Sequence, residues 1–184
     1  MEPRFLISPA GAGRNTLAHI ESALRKLAPV AGRPIRVEFS KKLRTGVHAA
    51  TFIRKRRIVL DFALMGEPAE LRRILVHELF HFAWLRMGNS RRWSFEDLLR
   101  QEAKRGVRGE LGWSAEWRKD ALTRRDSARR SRRWREYACE SFCDTAAWRY
   151  AAIASHEEFT LAGRYRAARR EWFRHAGLDA AISI

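Results

Sequence analysis

Apolar residues recur every three or four positions along most of the chain, and they alternate with polar residues over a short stretch in its first third. The first pattern predicts helices with one buried face, and the second predicts half-buried strands. Helices are predicted at about 16–28, 68–86, 94–104, 134–154 and 157–176, with a shorter one after Ser114. Strands are predicted at 35–39, 47–53 and 57–62, with 5–7 as a further edge strand. This order predicts an α+β fold, in which a small antiparallel sheet of three to four strands packs on helix 68–86 and a mainly helical C-terminal half follows.

Size and composition indicate a globular protein. The chain has 184 residues, of which 46% are hydrophobic, and no repeat or second apolar core is visible, so one domain is predicted over 1–184. No run approaches the roughly 20 apolar residues of a membrane helix, and residues 1–7 do not resemble a signal peptide. Cys139 and Cys143 lie one helical turn apart and imply no disulfide framework. We therefore expect a cytoplasmic protein without a membrane span.

The charge adds a second feature. Lysine and arginine number 37 against 21 acidic residues, a net charge of +16, and such a field attracts polyanions. Half of this charge falls in residues 104–135, which contain twelve basic and four acidic side chains. The part from Thr123 to Arg133 has almost no large apolar residue, so it is either a solvated helix or a mobile basic loop. A contact with nucleic acid or another polyanion is expected in 104–135, although a solvated face without a partner is the simpler interpretation.

The strongest chemical signal lies inside the predicted helix 68–86, where the chain reads His77-Glu78-Leu79-Phe80-His81. Residues four apart share one helical face, so both imidazoles can occupy two corners of a zinc tetrahedron. Glu78 lies roughly 100° around the helix from His77, where it can act as a general base without binding the metal. The opposite stripe, with Leu71, Leu75, Leu79 and Phe82, is predicted to face the core. The alternative is an amphipathic helix that buries two histidines and a carboxylate without a metal, which is energetically costly.

A zinc site needs at least three protein ligands, so a third must come from elsewhere in the chain. Glu140 is the best candidate, because Asp144 follows one turn later on the same face and could hold the ring N–H of a zinc-bound histidine. Glu136 is a weaker alternative, and His156 and His175 are rivals. Cys139 and Cys143 could instead close a structural zinc site beside the histidines, although free cysteines more often serve as buried packing.

His77-Glu78-x-x-His81 followed by Glu140-x-x-x-Asp144 on a second helix resembles the gluzincin branch of the zincin metallopeptidases. The resemblance covers about 35–150, and a basic insert at about 89–135 accounts for the long step between the motifs. It implies a zincin-like domain with one Zn²⁺ per chain, held by His77, His81 and Glu140 and supported by Asp144. It also implies that strand 57–62 is the sheet edge that lines the substrate cleft.

The function expected from this resemblance is hydrolysis of peptide bonds through a metal-activated water, with Glu78 as general base. One further donor should stabilise the oxyanion, and the sequence leaves its choice open among Tyr137, Tyr150, Tyr165 and His156. A histidine as third ligand would instead resemble SprT-like proteases, which act on proteins attached to DNA. The competing class is a basic, tryptophan-rich nucleic-acid-binding protein in which zinc is structural or absent.

Overall fold

The computed structural model describes residues 5–7, 14–25, 27–41, 43 and 46–184, and these form an α+β fold. The strands are β1 (Phe5–Ile7), β2 (Val30–Ala31), β3 (Ile35–Ser40), β4 (Ala49–Phe52), β5 (Arg57–Asp61) and β6 (Ile182–Ser183). The helices are α1 (Arg14–Arg25), α2 (Pro68–Arg86), α3 (Asn89–Lys104), α4 (Trp113–Asp120), α5 (Arg124–Arg129), α6 (Arg132–Tyr150) and α7 (Gly163–His175). Most of the segment preceding α1 lies outside the described residues.

The main sheet has four strands in the order β1-β3-β5-β4, and it is mixed. β1 and β5 both run parallel to β3, and only β4 runs antiparallel to β5. The predicted antiparallel sheet is therefore wrong in its strand directions. A short 3-10 turn at Ile53–Lys55 joins β4 and β5 into a hairpin, and β5 lies between β3 and β4 in the sheet.

Helix α2 lies in the centre of the core, between the sheet and α6. Its predicted apolar stripe is buried, with Leu71, Leu75, Leu79 and Phe82 all almost inaccessible to solvent. On the other side, Phe80 stacks on Tyr150 and packs against Phe142 of α6, with ring centroids 5.4 and 5.7 Å apart. Burial of each such side chain contributes about 1.5–3 kcal/mol, so the packing of α2 against α6 is strongly favoured. Both elements that carry the chemical motifs are thus held rigidly.

Several predicted helix boundaries shift. α3 begins at Asn89 directly after Gly88, and Ser94, which lies inside this helix, accepts a hydrogen bond from Trp172 Nε1 at 2.7 Å. α7 begins at Gly163, later than the sequence predicted. The basic stretch after Thr123 forms helix α5, with a capping box between Thr123 and Asp126, so it is a helix and not a loop.

Strand β6 packs against α2 and pairs with β2. β6 pairs in parallel with β2, which places Ile182 opposite Val30, and Ile182 and Ile184 are buried. Among the helices of the described ranges, none combines the length and apolar character needed to cross a membrane.

Candidate metal centre

The packing of α2 on α6 brings the two motifs face to face. His77 Nε2 lies 3.3 Å from Glu140 Oε2, and His77 Nδ1 lies 2.7 Å from Asp144 Oδ1. His77 is only 7% exposed, and Asp144 is buried. The two carboxylates predicted from the sequence therefore contact the first histidine, one at each ring nitrogen. Whether Glu140 binds a metal stays a prediction.

His81 is held by a different pair of groups. Its ring centroid lies 5.0 Å from that of His77, and the two rings are nearly perpendicular. The Sγ atoms of Cys139 and Cys143 each lie 3.5 Å from His81 Nδ1. Each histidine is thus held through Nδ1, which leaves Nε2 as the nitrogen that it can offer to a ligand.

Three of these residues form a group that could hold a metal ion. His77, His81 and Cys143 each offer an atom, and these atoms all lie within 4.8 Å of one another. From the sequence, Cys143 was expected to bind a metal only in a closed structural site. In the structure, its Sγ atom lies as close to His81 Nδ1 as the Sγ atom of Cys139 does. Glu140 and Cys143 are therefore the two candidates for the third ligand.

The charges around the histidines attract one another. Burial by itself lowers the pKa of His77, but the charge and hydrogen bond of Asp144 and the hydrogen bond of Glu140 outweigh it and raise that pKa well above its ordinary value. Burial raises the pKa of Glu140, but His77 outweighs burial and the pKa of Glu140 is lowered. Glu140 is therefore favoured in its anionic form, and it faces a ring that attracts positive charge. A metal cation can take the place of that proton.

The first turn of α4 holds Asp144 from the other side. The backbone N–H of Ala115 donates to Asp144 Oδ2 at 3.0 Å, at the end of the helix where the dipole favours an anion. Gly112 makes this approach possible, because a Cβ atom there would lie 2.3 Å from Asp144 Cγ. The insert between the two motifs thus fixes the carboxylate that orients His77.

Glu78 lies between two cavities. Thr51 of β4 donates its hydroxyl to Glu78 Oε2 at 2.5 Å. A cavity of 340 Å³ on one side is also lined by His77, and a cavity of 210 Å³ on the other is also lined by His81. Glu78 can therefore be reached by a ligand bound beside either histidine.

The strand at this cleft is β4, and not the strand that the resemblance implied. β5, at 57–61, lies inside the sheet between β3 and β4, whereas β4 is the edge. Ala49 lines the larger cavity and Thr51 the smaller one. The expectation that 57–62 forms the edge is therefore wrong, because the hairpin turns the chain back into the sheet.

The sequence did not identify three residues of α4 that line the larger cavity. Trp113 is 64% exposed and Trp117 44% exposed, with ring centroids 6.1 Å apart. The guanidinium of Arg118 lies 3.6 Å from Glu140 Oε1. Residues four apart share one helical face, but this spacing cannot show whether the face meets the core or a cavity.

The candidates for the oxyanion donor lie elsewhere. Tyr137 donates its hydroxyl to buried Glu110 at 2.6 Å, and Tyr150 donates to Asp179 at 2.7 Å. His156 Nε2 lies 3.3 Å from Glu70, and Tyr165 packs against a small apolar cluster around Leu161. All four are described by the structure, and none lines either cavity beside Glu78.

The rival ligands are also engaged away from the pair of histidines. His156 groups with Glu70 and Glu158, and His175 is exposed on α7 beside Glu171. Glu136 is exposed and pairs with Arg132 at 2.7 Å.

Comparisons of the chain with protein-family models, with curated proteins and with solved structures find no match. The functional argument therefore depends on the residues and their geometry.

Proposed function

We propose that this protein is a zinc-dependent metallopeptidase of gluzincin type. In this proposal His77, His81 and Glu140 hold one Zn²⁺, Glu78 is the general base, and Asp144 orients His77. The observation that supports it most directly is the position of His77, whose two ring nitrogens contact Glu140 and Asp144 at 3.3 and 2.7 Å. A histidine that meets one carboxylate at each nitrogen is the arrangement expected of a metal ligand with a supporting partner.

The donor set fits zinc in a catalytic site. Two imidazole nitrogens and one carboxylate oxygen provide three ligands and leave a fourth position for water or substrate. When bound, zinc would lower the pKa of a water molecule and polarise the peptide carbonyl.

The side chains of the chain itself supply the remaining steps. In this proposal, Asp144 accepts a hydrogen bond from the Nδ1–H of His77, which leaves Nε2 as the nitrogen with the lone pair. Glu78 takes a proton from the attacking water and passes it to the leaving amine, while Thr51 fixes its carboxylate through a hydrogen bond. The guanidinium of Arg118 lines the 340 Å³ cavity, as Glu78 does, and can face the negative charge that develops on the substrate.

Edge strand β4 gives a peptide substrate a place to bind. An extended segment can add to an exposed edge through backbone hydrogen bonds and place alternate side chains in pockets. The cavity of 340 Å³ beside β4 is also lined by Trp113 and Trp117, so it suits a large apolar side chain.

The competing arrangement uses Cys143 as the third ligand. His77, His81 and Cys143 converge closely enough to hold a metal, and a thiolate is a strong zinc ligand. Such a site could serve structure without catalysis. The two arrangements differ in one atom type, sulfur or oxygen, and that difference can be measured.

The test of the proposed function combines metal analysis with a peptidase assay on the full chain. We expect about one zinc per chain in the wild-type protein. Glu78→Gln should retain this zinc and lose cleavage, because it removes the base and not a ligand. A zinc content far below one per chain, or a Glu78→Gln variant that cleaves like wild type, would contradict the proposal.

The third ligand is identified with a matched pair of variants, Glu140→Gln and Cys143→Ser, in protein substituted with Co²⁺. On the proposed arrangement, Glu140→Gln loses metal and Cys143→Ser retains it, and the near-ultraviolet spectrum shows no thiolate-to-cobalt charge-transfer band. A strong charge-transfer band that disappears in Cys143→Ser would instead assign the thiolate as ligand.

A further inference from the structure

A third cavity, of 490 Å³, lies at the β4–β5 turn. Leu6 and Pro34 contribute to its wall, and every other lining residue is basic. These cationic residues are Arg33, Arg36, Arg54, Lys55, Arg56 and Arg57. We call this set the β-turn basic cavity. It joins cations from three places in the fold, namely the segment before β3, β3 itself and the β4–β5 hairpin.

Few acidic groups balance this charge among the described residues. Glu38 lies 3.8 Å from Arg36 and 3.4 Å from Arg57, and it is the one carboxylate in ion-pair contact with the cavity there. Six cations against one carboxylate leave a large local excess of positive charge. Such an excess, enclosed by protein walls, focuses the field on the cavity.

The arginines at the turn are held in place by neutral groups. Arg56 donates to the backbone carbonyls of Arg33 and Pro34, and its guanidinium lies over the ring of Phe82. Burial and the charges of Arg86 and Arg33 lower the pKa of Arg56, so its neighbours repel its positive charge. Arg57 stacks on Phe52, with its guanidinium carbon 4.6 Å from the ring centroid. These contacts position the cations without neutralising them.

The basic segment 104–135, where the sequence predicted a polyanion contact, differs in this respect. Arg130 makes two hydrogen bonds to buried Glu96, at 2.7 and 2.8 Å. Lys119 lies 3.1 Å from buried Glu110, and Arg118 lies 3.6 Å from Glu140. Part of the positive charge of this segment therefore stabilises the fold.

We propose that the β-turn basic cavity binds the phosphodiester backbone of nucleic acid. Guanidinium groups match phosphate oxygens with paired hydrogen bonds, and five of the six cations are arginines. Their spread over several segments suits a polymer with regularly spaced charges better than one small anion. Contacts to the phosphodiester backbone do not distinguish one base from another, so the binding is independent of base sequence. It is also strongly dependent on salt.

The cavity adjoins the cleft of the metal centre. Arg54 follows directly on Ile53, which lines the 210 Å³ cavity together with His81. Nucleic acid held at the turn would therefore lie beside the cleft. The binding itself requires neither the metal nor peptidase activity, so it can be tested separately.

The experiment compares two double variants with the same change in net charge. Arg54→Glu/Lys55→Glu reverses two exposed cations of the cavity, and Arg124→Glu/Arg125→Glu reverses two exposed cations of α5. Affinity for a labelled single-stranded oligonucleotide is measured by fluorescence anisotropy over a series of salt concentrations. We expect the cavity variant to bind about tenfold or more weakly and to reduce the salt slope by about 2. The α5 variant should stay within about threefold of wild type. Circular dichroism confirms that both variants are folded.

Three outcomes would overturn the proposal. Wild-type protein that does not bind the oligonucleotide at low salt refutes it directly. Equal losses in both variants show that net charge acts without a defined site. Preferential binding to phosphatidylserine vesicles, lost in the cavity variant, assigns the surface to a lipid headgroup instead.

Discussion

Two clusters of buried charge in this protein differ in how the charge is balanced. The first, here the Arg169 cluster, consists of Arg169, Glu102 and Glu110 with three hydroxyl groups, those of Tyr137, Ser141 and Thr145. Arg169 is fully buried, and its guanidinium lies 2.7 Å from Glu102 and 2.6 Å from Glu110. The second is the metal centre around His77 and His81.

The Arg169 cluster is complete as it stands. One guanidinium faces two carboxylates, Lys119 adds a second cation at 3.1 Å from Glu110, and hydroxyl groups fill the remaining positions. In the metal centre, two imidazoles, two carboxylates and two thiols converge, and Arg118 pairs with one of these carboxylates, Glu140, at 3.6 Å. Buried charges need a partner of opposite sign. The comparison shows that the first cluster is suited to stabilising the fold and the second to accepting a cation.

The largest expected effect is on the free energy of unfolding, and it comes from a substitution that breaks the Arg169 cluster. Arg169→Met leaves Glu102 buried without a cation and Glu110 with Lys119 alone, and loss of one partner from such a pair destabilises a protein by about 3–5 kcal/mol. Chemical denaturation measures this change in the free energy of unfolding. Arg170→Met, at the exposed neighbouring position, is the control and should change stability by less than about 0.5 kcal/mol. Glu140→Gln in the metal-free protein should also have a small effect, and equal losses in Arg169→Met and Glu140→Gln would remove the distinction between the clusters.

The second prediction concerns the stability of the protein at low pH. Burial raises the pKa of Glu110, but the charge and hydrogen bonds of Arg169, with Lys119 and Tyr137, outweigh it and lower that pKa from 4.5 to about 2. A lowered pKa in the folded state stabilises the protein above the unfolded value and loses that contribution as the pH falls from about 4.5 towards 2. The loss is on the order of 3 kcal/mol. Urea titrations over this pH range measure it, and Glu110→Gln should show a flatter dependence than wild type.

The third prediction concerns the contacts that hold Asp144 in place beside His77. Gly112→Ala puts a Cβ atom onto Asp144, and Asp144→Asn weakens its hold on His77. Each should lower zinc affinity about 10- to 100-fold, which competition with a chelator measures. Gly163→Ala is the matched control, because nothing lies within 4 Å of its added Cβ, and it should bind zinc like wild type. Unchanged affinity in Gly112→Ala would show that α4 does not support the centre.

The smallest effect is expected from Thr51. Thr51→Val removes the hydrogen bond to Glu78, a contribution of about 0.5–1.5 kcal/mol. On the proposed function, zinc content stays the same and the peptidase rate falls roughly three- to tenfold. Thr51→Ser keeps the hydroxyl and should restore most of the rate. A loss of zinc in Thr51→Val would place this residue in metal binding instead.

The sequence predicted those parts of the molecule that a local pattern determines. The helical spacing of Leu71, Leu75 and Leu79 located α2, and the repeats His77-x-x-x-His81 and Glu140-x-x-x-Asp144 placed their side chains on common faces. The predicted apolar stripe of α2 lies opposite the histidines, so the approach of Glu140 to His77 depends on a second buried face, at which Phe80 packs against Phe142 of α6.

Features that depend on distant contacts were not predictable in this way. The alternation of polar and apolar residues in 57–62 fits an edge or a central strand equally well, and only the pairing with β3 makes β5 central. Tyr137 carries no local sign that Glu110 accepts its hydroxyl. Ser94 has the residue type of a helix cap, but Gly88 is the N-cap of α3, so the helix starts at Asn89.

The contact of Gly112 and Ala115 with Asp144 has a consequence for how the centre assembles. The segment between the two motifs holds Asp144 in place and so sets the orientation of His77. A shortened protein that keeps 68–86 and 132–150 but removes the intervening chain would retain every proposed ligand and lose the alignment of His77. Transplanting this chemistry to another scaffold therefore requires the turn at 112–115 as well as the two motif helices.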